Sequence, residues 1–334
     1  MAEAKYDVLT IGNAITDILT QVDESFIVKE HMSKGIMHLV EGDRSEYLYN
    51  KMPADKIQIS GGSAANTAAG IASLGGKAAF IGKVAEDDVG EFFTQDLREA
   101  GVDYTTEMLE HGASSGRCMI FITPDGERTL NTYLGACHDL TESDIWEDQI
   151  GSATITFMEG YLWDPPEAKR AFVKAAHFAH KQERAAAITL SDPFCVNRFR
   201  DEFLDLMRSK TCDYVFANVE EVKALYQTDE LHEAAQMIAQ DAEIAAITMG
   251  ADGAMVIANG EVITVPAFKV EHVKDATGAG DLFASGFLLG LARGQTMEEA
   301  LKLGCLSASE VISHVGARPQ TNLKKFAHEH GLSV

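Results

Sequence analysis

The sequence predicts an α/β protein with a mainly parallel central sheet flanked by helices, plus a small β-sheet that forms a lid. Short β-rich runs alternate with helical runs through most of the chain, a rhythm typical of parallel sheets. The rhythm breaks in residues 21–56 and 117–134, where mixed or β-rich segments lack a helical period. A chain of 334 residues can bury one large core and carry a smaller unit. The predicted large domain comprises residues 1–16, 59–110 and 136–334, and the predicted lid comprises residues 17–58 and 111–135.

Composition limits the possible partners. The 28 Lys plus Arg against 51 Asp plus Glu give a formal net charge of −23, which opposes non-specific attraction to nucleic acid or anionic lipid. We therefore expect neither a nucleic-acid nor a membrane partner, and a phosphorylated ligand would need a local positive site. Five cysteines without a CxxC pair predict reduced thiols, mostly in the core. With no signal peptide and no stretch long enough to span a bilayer, we expect a cytoplasmic protein.

The first β-rich run, Tyr6 to Gly12, ends in a turn at Asn13, and Asp17 follows four residues later. Ligands of open α/β sheets bind beyond the carboxyl ends of the strands. Asn13 and Asp17 are therefore candidates for contacts with substrate hydroxyls. Ordinary turn chemistry is the alternative for Asn13.

Residues 21–56 form an excursion from the core without a sustained period. The strand-like runs Gly35 to Val40 and Ile57 to Ser60 fit a small sheet that covers a site, although a simple surface insertion is also compatible. Two further β-rich runs flank the turn at residues 124–127 and predict a hairpin of the same sheet. Arg128, just after that turn, is a candidate phosphate contact or, alternatively, a solvated hairpin arginine.

A glycine pair, Gly61 and Gly62, precedes a helix of small residues that ends at Gly75-Gly76. Such a pair lets a ligand lie against the backbone, and Asn66 would present its amide to the same place. A helix that needs small residues for tight packing is the alternative. A strand over Ala78 to Val84, a helix over Asp88 to Ala100 and a strand over Tyr104 to Leu109 continue the alternation.

After Ala136 the alternation is regular, and Asn218 and Glu221 follow one of the predicted strands. An amide and a carboxylate three residues apart share a helix face and suit Mg²⁺, which keeps most of its waters. A helix cap with an acidic first turn explains the same spacing.

A strand, a glycine-rich turn and a second strand follow between residues 244 and 258. Thr248, Gly250 and Gly253 are candidates for contacts with a nucleotide's phosphates. A plain hairpin explains the same glycines.

The segment Asp275-Ala276-Thr277-Gly278-Ala279-Gly280-Asp281 leaves a strand-like run and opens an apolar helix. With little or no side chain at residues 278–280, backbone N–H groups at the helix start can point at an anion. Asp281 is placed to take a proton from an attacking hydroxyl. The alternative is an ordinary helix start with an acidic first turn.

Three motifs in this order resemble the ribokinase or PfkB family of sugar and nucleoside kinases: the residues 61–66, the NxxE of residues 218–221 and the TGAGD ending at Asp281. The resemblance covers essentially the whole chain and implies a ribokinase-like three-layer fold, ATP and Mg²⁺ as donor and cofactor, and a small-molecule nucleoside or sugar as acceptor. It leaves monomer and homodimer open.

The resemblance also implies roles for individual residues. Asp281 would be the catalytic base, with the amides of Gly278, Ala279 and Gly280 as an anion hole and Arg128 on the phosphate. Asn13, Asp17, Gly61, Gly62 and Asn66 would hold the sugar. The implied base pocket is Ile15, Met37, Leu39, Leu134 and Phe194. Asn218 and Glu221 would organise Mg²⁺ and the triphosphate, Thr248, Gly250 and Gly253 would line the ATP site, and Asp275 and Thr277 are candidates for a K⁺ site.

Within the family, residues 12–18 and 190–194 are more similar to adenosine kinases than to ribokinases. The implied reaction is phosphorylation of the 5′-hydroxyl of adenosine to give AMP. Ribose, another nucleoside or a sugar acid derivative are alternative acceptors, and a non-catalytic binding protein on the same fold is a more distant one. Ser307 and Ser309 stand where related kinases often carry Asn near the ATP adenine.

Overall fold

A computed structural model of the protein describes residues 4–334 and contains two β-sheets and twelve α-helices within that range. The strands are β1 (Tyr6–Ile11), β2 (Ile15–Gln21), β3 (Met37–Leu39), β4 (Ile57–Gly61), β5 (Ala78–Ile81), β6 (Val102–Tyr104), β7 (Gly116–Ile122), β8 (Arg128–Tyr133), β9 (Ala153–Glu159), β10 (Ala185–Thr189), β11 (Tyr214–Asn218), β12 (Ile244–Thr248), β13 (Ala254–Ala258) and β14 (Glu261–Val265). The helices are α1 (Glu24–Lys29), α2 (Gly42–Lys51), α3 (Ser63–Ser73), α4 (Asp88–Glu99), α5 (Glu147–Gly151), α6 (Pro166–Lys181), α7 (Pro193–Arg208), α8 (Val219–Tyr226), α9 (Leu231–Asp241), α10 (Ala279–Ala292), α11 (Met297–Val311) and α12 (Leu323–Glu329).

The large sheet has nine strands in the order β14-β13-β12-β11-β10-β9-β1-β5-β6. Its pairs are parallel from β6 to β12, and the last two strands add as an antiparallel hairpin. Because the carboxyl ends of parallel strands meet at one edge, the segments after β1, β9, β10, β11 and β12 all come together there. The small sheet has the order β3-β8-β7-β2-β4 and is mixed.

Two hydrophobic cores cover the two faces of the large sheet. Helices α3, α10 and α11 build one core, whereas α6, α7 and α8 build the other. Nine consecutive residues of α10, from Leu282 to Gly290, are buried, which explains why this helix is apolar on every side. A third, smaller core joins α1 and α2 to the small sheet through Ile18, Leu48 and Phe121. The predicted three-layer architecture with a second small sheet is confirmed.

Three details differ from the prediction. The edge strand β6 (Val102–Tyr104) lies earlier in the chain than the predicted strand Tyr104 to Leu109. The Tyr104 carbonyl oxygen accepts hydrogen bonds from Arg98 Nε (2.9 Å) and Nη2 (2.7 Å), and the strand pairing stops at this residue. Residues 266–278 form no strand before α10; the amide of Lys274 instead bonds Ile312 at the end of α11. Helices α1 and α2 were not predicted. The five cysteines are buried and free, as predicted.

No helix within residues 4–334 is both long enough and apolar enough to cross a membrane.

Candidate active site

A cavity of about 870 Å³ lies at the carboxyl edge of the large sheet, and residues of both sheets line it. Most predicted site residues belong to the lining: Asn13, Ile15, Asp17, Met37, Leu39, Gly62, Asn66, Arg128, Leu134, Phe194, Asn218, Glu221, Thr248, Gly250, Thr277, Gly278, Ala279, Gly280 and Asp281. Gly61, Gly253 and Asp275, which the structure also describes, do not belong to the lining. The fold therefore gathers residues from both ends of the chain into one site.

Asp281 lies in the first turn of α10 and is held by α3. Its Oδ1 accepts a hydrogen bond from the Ser63 hydroxyl (2.6 Å), and its Oδ2 accepts one from the Asn66 amide (2.9 Å). Burial raises the pKa of Asp281, while Ser63, Asn66 and the charge of Arg318 act in the opposite direction. The carboxylate is thus fixed in orientation and more basic than an exposed aspartate, as a general base requires.

The start of α10 offers backbone donors to the cavity. Gly278 adopts a left-handed conformation (φ +81°) as the N-cap, and space beside the Cα of Gly280 is open, since an added Cβ would meet no atom within 4 Å. Among the described residues, no partner accepts from the N–H of Gly278 or Gly280, whereas that of Ala279 bonds the Ala276 carbonyl (3.2 Å). Two of the three predicted donors are therefore available to an anion.

Three side chains of the cavity lining, those of Asn13, Asp17 and Asn66, present hydrogen-bond acceptors that lack a donor among residues 4–334. They are called the acceptor wall. The amide nitrogens of Asn13 and Asn66 donate to carboxylates, of Glu159 (2.6 Å) and Asp281 respectively. This leaves the Oδ1 atoms of both asparagines buried and without a partner within residues 4–334. Asp17 likewise makes no hydrogen bond to any described residue, and burial raises its pKa to about 6. A buried acceptor without a donor is costly, so this wall favours a ligand with several hydroxyl groups.

The glycine pair is required by the protein itself. A Cβ on Gly62, where φ is +93°, would lie 2.1 Å from the carbonyl oxygen of Asn13. A Cβ on Gly61 would lie 2.7 Å from Oδ2 of Asp17. Close packing on the Asn13 backbone therefore accounts for Gly62, whereas the group nearest to Gly61 is the end of the Asp17 side chain.

Arg128 reaches from β8 of the small sheet to Asp275 in the loop before α10, where the two form an ion pair. The alternative of a solvated arginine is wrong, because the side chain is 17% exposed. Its buried Nε has no partner in the described part of the chain and remains a donor. Asp275 also accepts from the Thr277 amide and hydroxyl (3.0 and 2.6 Å) and the Gly316 amide (2.9 Å). Both of its oxygens are thus engaged, so these contacts do not favour a K⁺ site, which stays a prediction.

Apolar side chains form part of the cavity lining, and this part is called the apolar compartment. The predicted Ile15, Met37, Leu39, Leu134 and Phe194 line it, and Phe194 is 66% exposed. Tyr161, Leu19, Ile120 and Leu130 extend this compartment and were not predicted. Flat apolar groups of a ligand fit such walls.

Asn218 and Glu221 form a capping box at the start of α8. The Asn218 side chain accepts from the Glu221 amide (2.9 Å), and Glu221 Oε2 accepts from the Asn218 amide (3.0 Å). The capping alternative is therefore confirmed. Burial also raises the pKa of Glu221 to about 7. The described residues hold no group of three or more His, Cys, Asp or Glu able to bind a metal unaided.

Thr248 and Gly250 line the cavity at the carboxyl end of β12, whereas Gly253 does not belong to the lining. Gly253 (φ +98°) closes the β12–β13 hairpin, where a Cβ would lie 2.0 Å from the Val265 carbonyl oxygen. The plain-hairpin alternative therefore accounts for Gly253.

Besides the unpredicted residues of the apolar compartment, sequence reasoning assigned no role to three polar residues of the lining: Ser63, Glu159 and Arg318. Glu159 ends β9, is buried, and accepts from Asn13 and from the Ala64 amide (2.9 Å). Burial raises its pKa to about 7. Its position at the carboxyl end of a buried strand was a signal that could have identified it. Ser63 lies within the motif of residues 61–66 but was given no role, and Arg318 belongs to no pattern that singles it out.

Within residues 4–334, the site combines a carboxylate at a helix start with free backbone donors beside it and with unpartnered acceptors near a small sheet. This arrangement suits a phosphotransferase with an alcohol acceptor. The comparisons agree: the chain belongs to the pfkB family of carbohydrate kinases, whose model matches residues 53–324. The predicted family membership, enzyme class and ribokinase-like fold are thereby confirmed.

Relatives within this family differ in substrate. The chain is 27% identical over 332 residues to an adenosine kinase of Saccharomyces cerevisiae, covering 92% of this chain and 95% of the relative. It is 31% identical over 294 residues to a 5-dehydro-2-deoxygluconokinase of Bacillus subtilis, covering 79% and 85%. Among solved structures, the adenosine kinase of Sinorhizobium meliloti is 50% identical with a TM-score of 0.90, covering 98% and 100% of the two chains. A probable sugar kinase of Rhizobium etli is 49% identical with a TM-score of 0.90, covering 98% and 99%.

Proposed function

We propose that this kinase transfers the terminal phosphoryl group of ATP to the 5′-hydroxyl of adenosine, giving AMP and ADP. The observation that carries the proposal is the pairing of an acceptor wall with an apolar compartment in one cavity. The acceptor atoms of Asn13, Asn66 and Asp17 lack donors among the described residues, and the hydroxyl groups of a ribose can supply them. Phe194 and its apolar neighbours suit a flat base. The 50% identity to an adenosine kinase supports the same acceptor.

Asp281 would act as the general base. As the hydroxyl oxygen attacks phosphorus, its proton passes to Asp281, the new O–P bond forms, and the bond from phosphorus to the departing diphosphate breaks. The N–H groups of Gly278 and Gly280 would meet the charge on the transferring group, as would the free Nε of Arg128. Little covalent chemistry falls to the protein, so orientation by α3 and α10 would supply much of the rate.

The part of the cavity beside the α10 start and the carboxyl end of β11 would hold the phosphates of ATP and a hydrated magnesium ion. Gly280 leaves open space at the helix start, and a carboxylate, Glu221, lies at the carboxyl end of β11. Glu221 and Asn218 would hold Mg²⁺ through its waters, and the ion would neutralise charge on the donor phosphates. The predicted lid, residues 17–58 and 111–135, contains most of the small sheet and would cover the bound pair and exclude water.

A sugar acid is the second candidate, because the relative from Bacillus subtilis acts on 5-dehydro-2-deoxygluconate. A carboxylate ligand needs hydrogen-bond donors or a cation beside it, whereas Asn13, Asn66 and Asp17 present acceptors. The arginines of the lining are already engaged: Arg128 with Asp275, Arg198 with Asp164 (2.9 Å), and Arg318 with backbone oxygens. The wall therefore favours a neutral polyol with an apolar substituent.

The test is ADP release with ATP and Mg²⁺ against adenosine, guanosine, inosine, ribose, fructose and 5-dehydro-2-deoxygluconate, with the acceptor omitted as the blank. We expect adenosine to give the highest kcat/KM and AMP to appear in step with ADP. Phe194→Ala should raise the KM for adenosine but not for ribose, while Trp146→Ala, a change at an exposed aromatic outside the cavity, should alter neither.

Each other outcome identifies a different error. Preference for ribose or the sugar acid would keep the mechanism and refute the apolar compartment as a base site. Saturable adenosine binding without ADP release would refute catalysis and leave a binding protein.

A further inference from the structure

Arg318 lies in the loop between α11 and α12, and its guanidinium donates hydrogen bonds to both β4 and α3. Nε donates to the Ser60 carbonyl (2.8 Å), Nη1 to the Ala65 carbonyl (3.0 Å), and Nη2 to the Ser60 hydroxyl (2.9 Å). Ser60 belongs to β4 of the small sheet and Ala65 to α3. Asp96 on α4 completes the cluster by accepting from the Ser60 amide (2.8 Å) and hydroxyl (2.5 Å).

The same loop touches the phosphate side. A Cβ on Gly278 would lie 2.8 Å from the Cα of Ala317, so the loop packs directly on the N-cap of α10. The neighbouring Gly316 amide donates to Asp275. Arg318 therefore ties the segment that supports the α10 start to the helix that carries Ser63 and Asn66, which bond Asp281.

Arg318 is also a buried cation among carboxylates. Its charge lowers the pKa of Asp17 and of Asp281, against the effect of burial. Burial lowers the pKa of Arg318 itself to about 10, so the guanidinium stays protonated at neutral pH. The charged groups around Arg318 and the two carboxylates are Asp17 on β2, Asp96 on α4, Arg128 on β8, Glu159 on β9 and Asp281 on α10.

We propose that Arg318 is a positioning residue that fixes β4 and α3 against the α10 start and stabilises the carboxylates of Asp17 and Asp281 by its charge. This inference rests on the proposed role of Asp281 as the base. Two functions are combined in one side chain: a rigid fork of donors and a positive charge. They can be separated by substitution, because Lys keeps the charge without the fork, whereas Gln keeps a donor without the charge.

The experiment measures kcat/KM for adenosine from pH 5 to pH 9 in the wild type, Arg318→Lys and Arg318→Gln. For Arg318→Gln we expect a loss of about 100-fold at neutral pH. Its acid limb should move up by about one pH unit, because loss of a nearby cation makes a carboxylate easier to protonate. For Arg318→Lys we expect a loss of about tenfold with the limb unmoved. Arg208→Lys and Arg208→Gln are matched controls, since Arg208 pairs with Asp241 on the surface (2.9 Å).

Calorimetric titration with adenosine and thermal unfolding separate the two proposals. A wild type that turns over adenosine, with a folded Arg318→Gln of unchanged kcat/KM and acid limb, overturns the role of Arg318 and leaves the proposed function intact. A wild type that binds adenosine without turnover refutes the proposed function; Arg318→Gln should still bind about tenfold more weakly, and equal binding would overturn the positioning role as well. If Arg318→Gln does not fold, Arg318→Lys decides, and wild-type kcat/KM in that variant counts against the fork.

Discussion

Replacing Asp281 by Asn removes the proposed base while keeping its contacts. The carboxylate accepts one hydrogen bond from the Ser63 hydroxyl and one from the Asn66 amide. A carboxamide of the same shape can accept from Asn66 through its oxygen and donate to the Ser63 hydroxyl oxygen through its nitrogen. The arrangement of α3 against α10 should therefore persist, and so should ligand binding.

The expected loss of turnover is large and the expected loss of stability is nil. Loss of a general base lowers kcat by roughly 10²- to 10⁴-fold, or about 2.7–5.4 kcal/mol of activation free energy. The pKa of Asp281 is raised in the folded state, so its ionised form opposes folding at neutral pH, and this penalty vanishes only as the pH falls towards the unfolded pKa. The neutral amide lacks that penalty. The unfolding midpoint of Asp281→Asn at pH 7 should consequently equal or exceed that of the wild type.

The assay compares ADP release at saturating adenosine and ATP with adenosine binding and thermal unfolding. Asp201→Asn serves as the matched control, because the Asp201 side chain is 89% exposed on α7 and lies outside the cavity. A folded Asp281→Asn whose turnover stays within tenfold of the wild type would refute Asp281 as the base. A lowered unfolding midpoint would instead refute the inference that its contacts survive.

Three further predictions test other parts of the site. Gly62→Ala should lower the free energy of unfolding, measured by denaturant titration, by roughly 1–3 kcal/mol more than Gly294→Ala. Both residues have positive φ, but an added Cβ meets another atom only at Gly62. Equal losses would contradict this prediction. Adenosine affinity, measured by calorimetry, should weaken as the pH falls through about 6, since the protonated form of Asp17 accepts hydroxyl donors poorly. Asp17→Asn should remove that step, and an unchanged step would assign it to another group. Glu221→Gln should raise the Mg²⁺ concentration for half-maximal activity about tenfold, whereas Glu299→Gln, in an equivalent capping box outside the cavity, should not; equal effects would exclude a magnesium role.

Local patterns predicted the large sheet well, because buried parallel strands and helices differ in period and in glycine placement. Prediction was poorer where a distant group decides the local structure. The Arg98 side chain ends β6, and the end of α11 holds the segment before α10 away from the sheet. The helices α1 and α2 cover one face of the small sheet and gain their stability from that contact rather than from a strong period of their own.

In the site, too, residues within local patterns were predicted, whereas residues placed by distant contacts were not. Residues carried by a glycine motif or a strand end, such as Asp281 and Asn13, were predicted by type and spacing. Arg318 was missed because its partners Ser60 and Ala65 lie more than 250 positions away in the sequence, and a lone arginine before a proline is no signal. The sequence also left open whether Asn218 and Glu221 cap a helix or face a ligand. They form the cap and also line the cavity, because a helix start at a strand end serves both purposes.

Backbone donors explain how a chain with a net charge of −23 can bind a polyphosphate. The three arginines of the lining already have protein partners, so none offers an uncommitted charge. The N–H groups of Gly278 and Gly280 have none among the described residues, and they lie at the helix end whose partial positive charge favours an anion. Arg128 can keep its ion pair with Asp275 and contact a phosphate through its free Nε. We therefore expect anion binding in this site to depend on the geometry of the α10 start rather than on the overall charge of the protein.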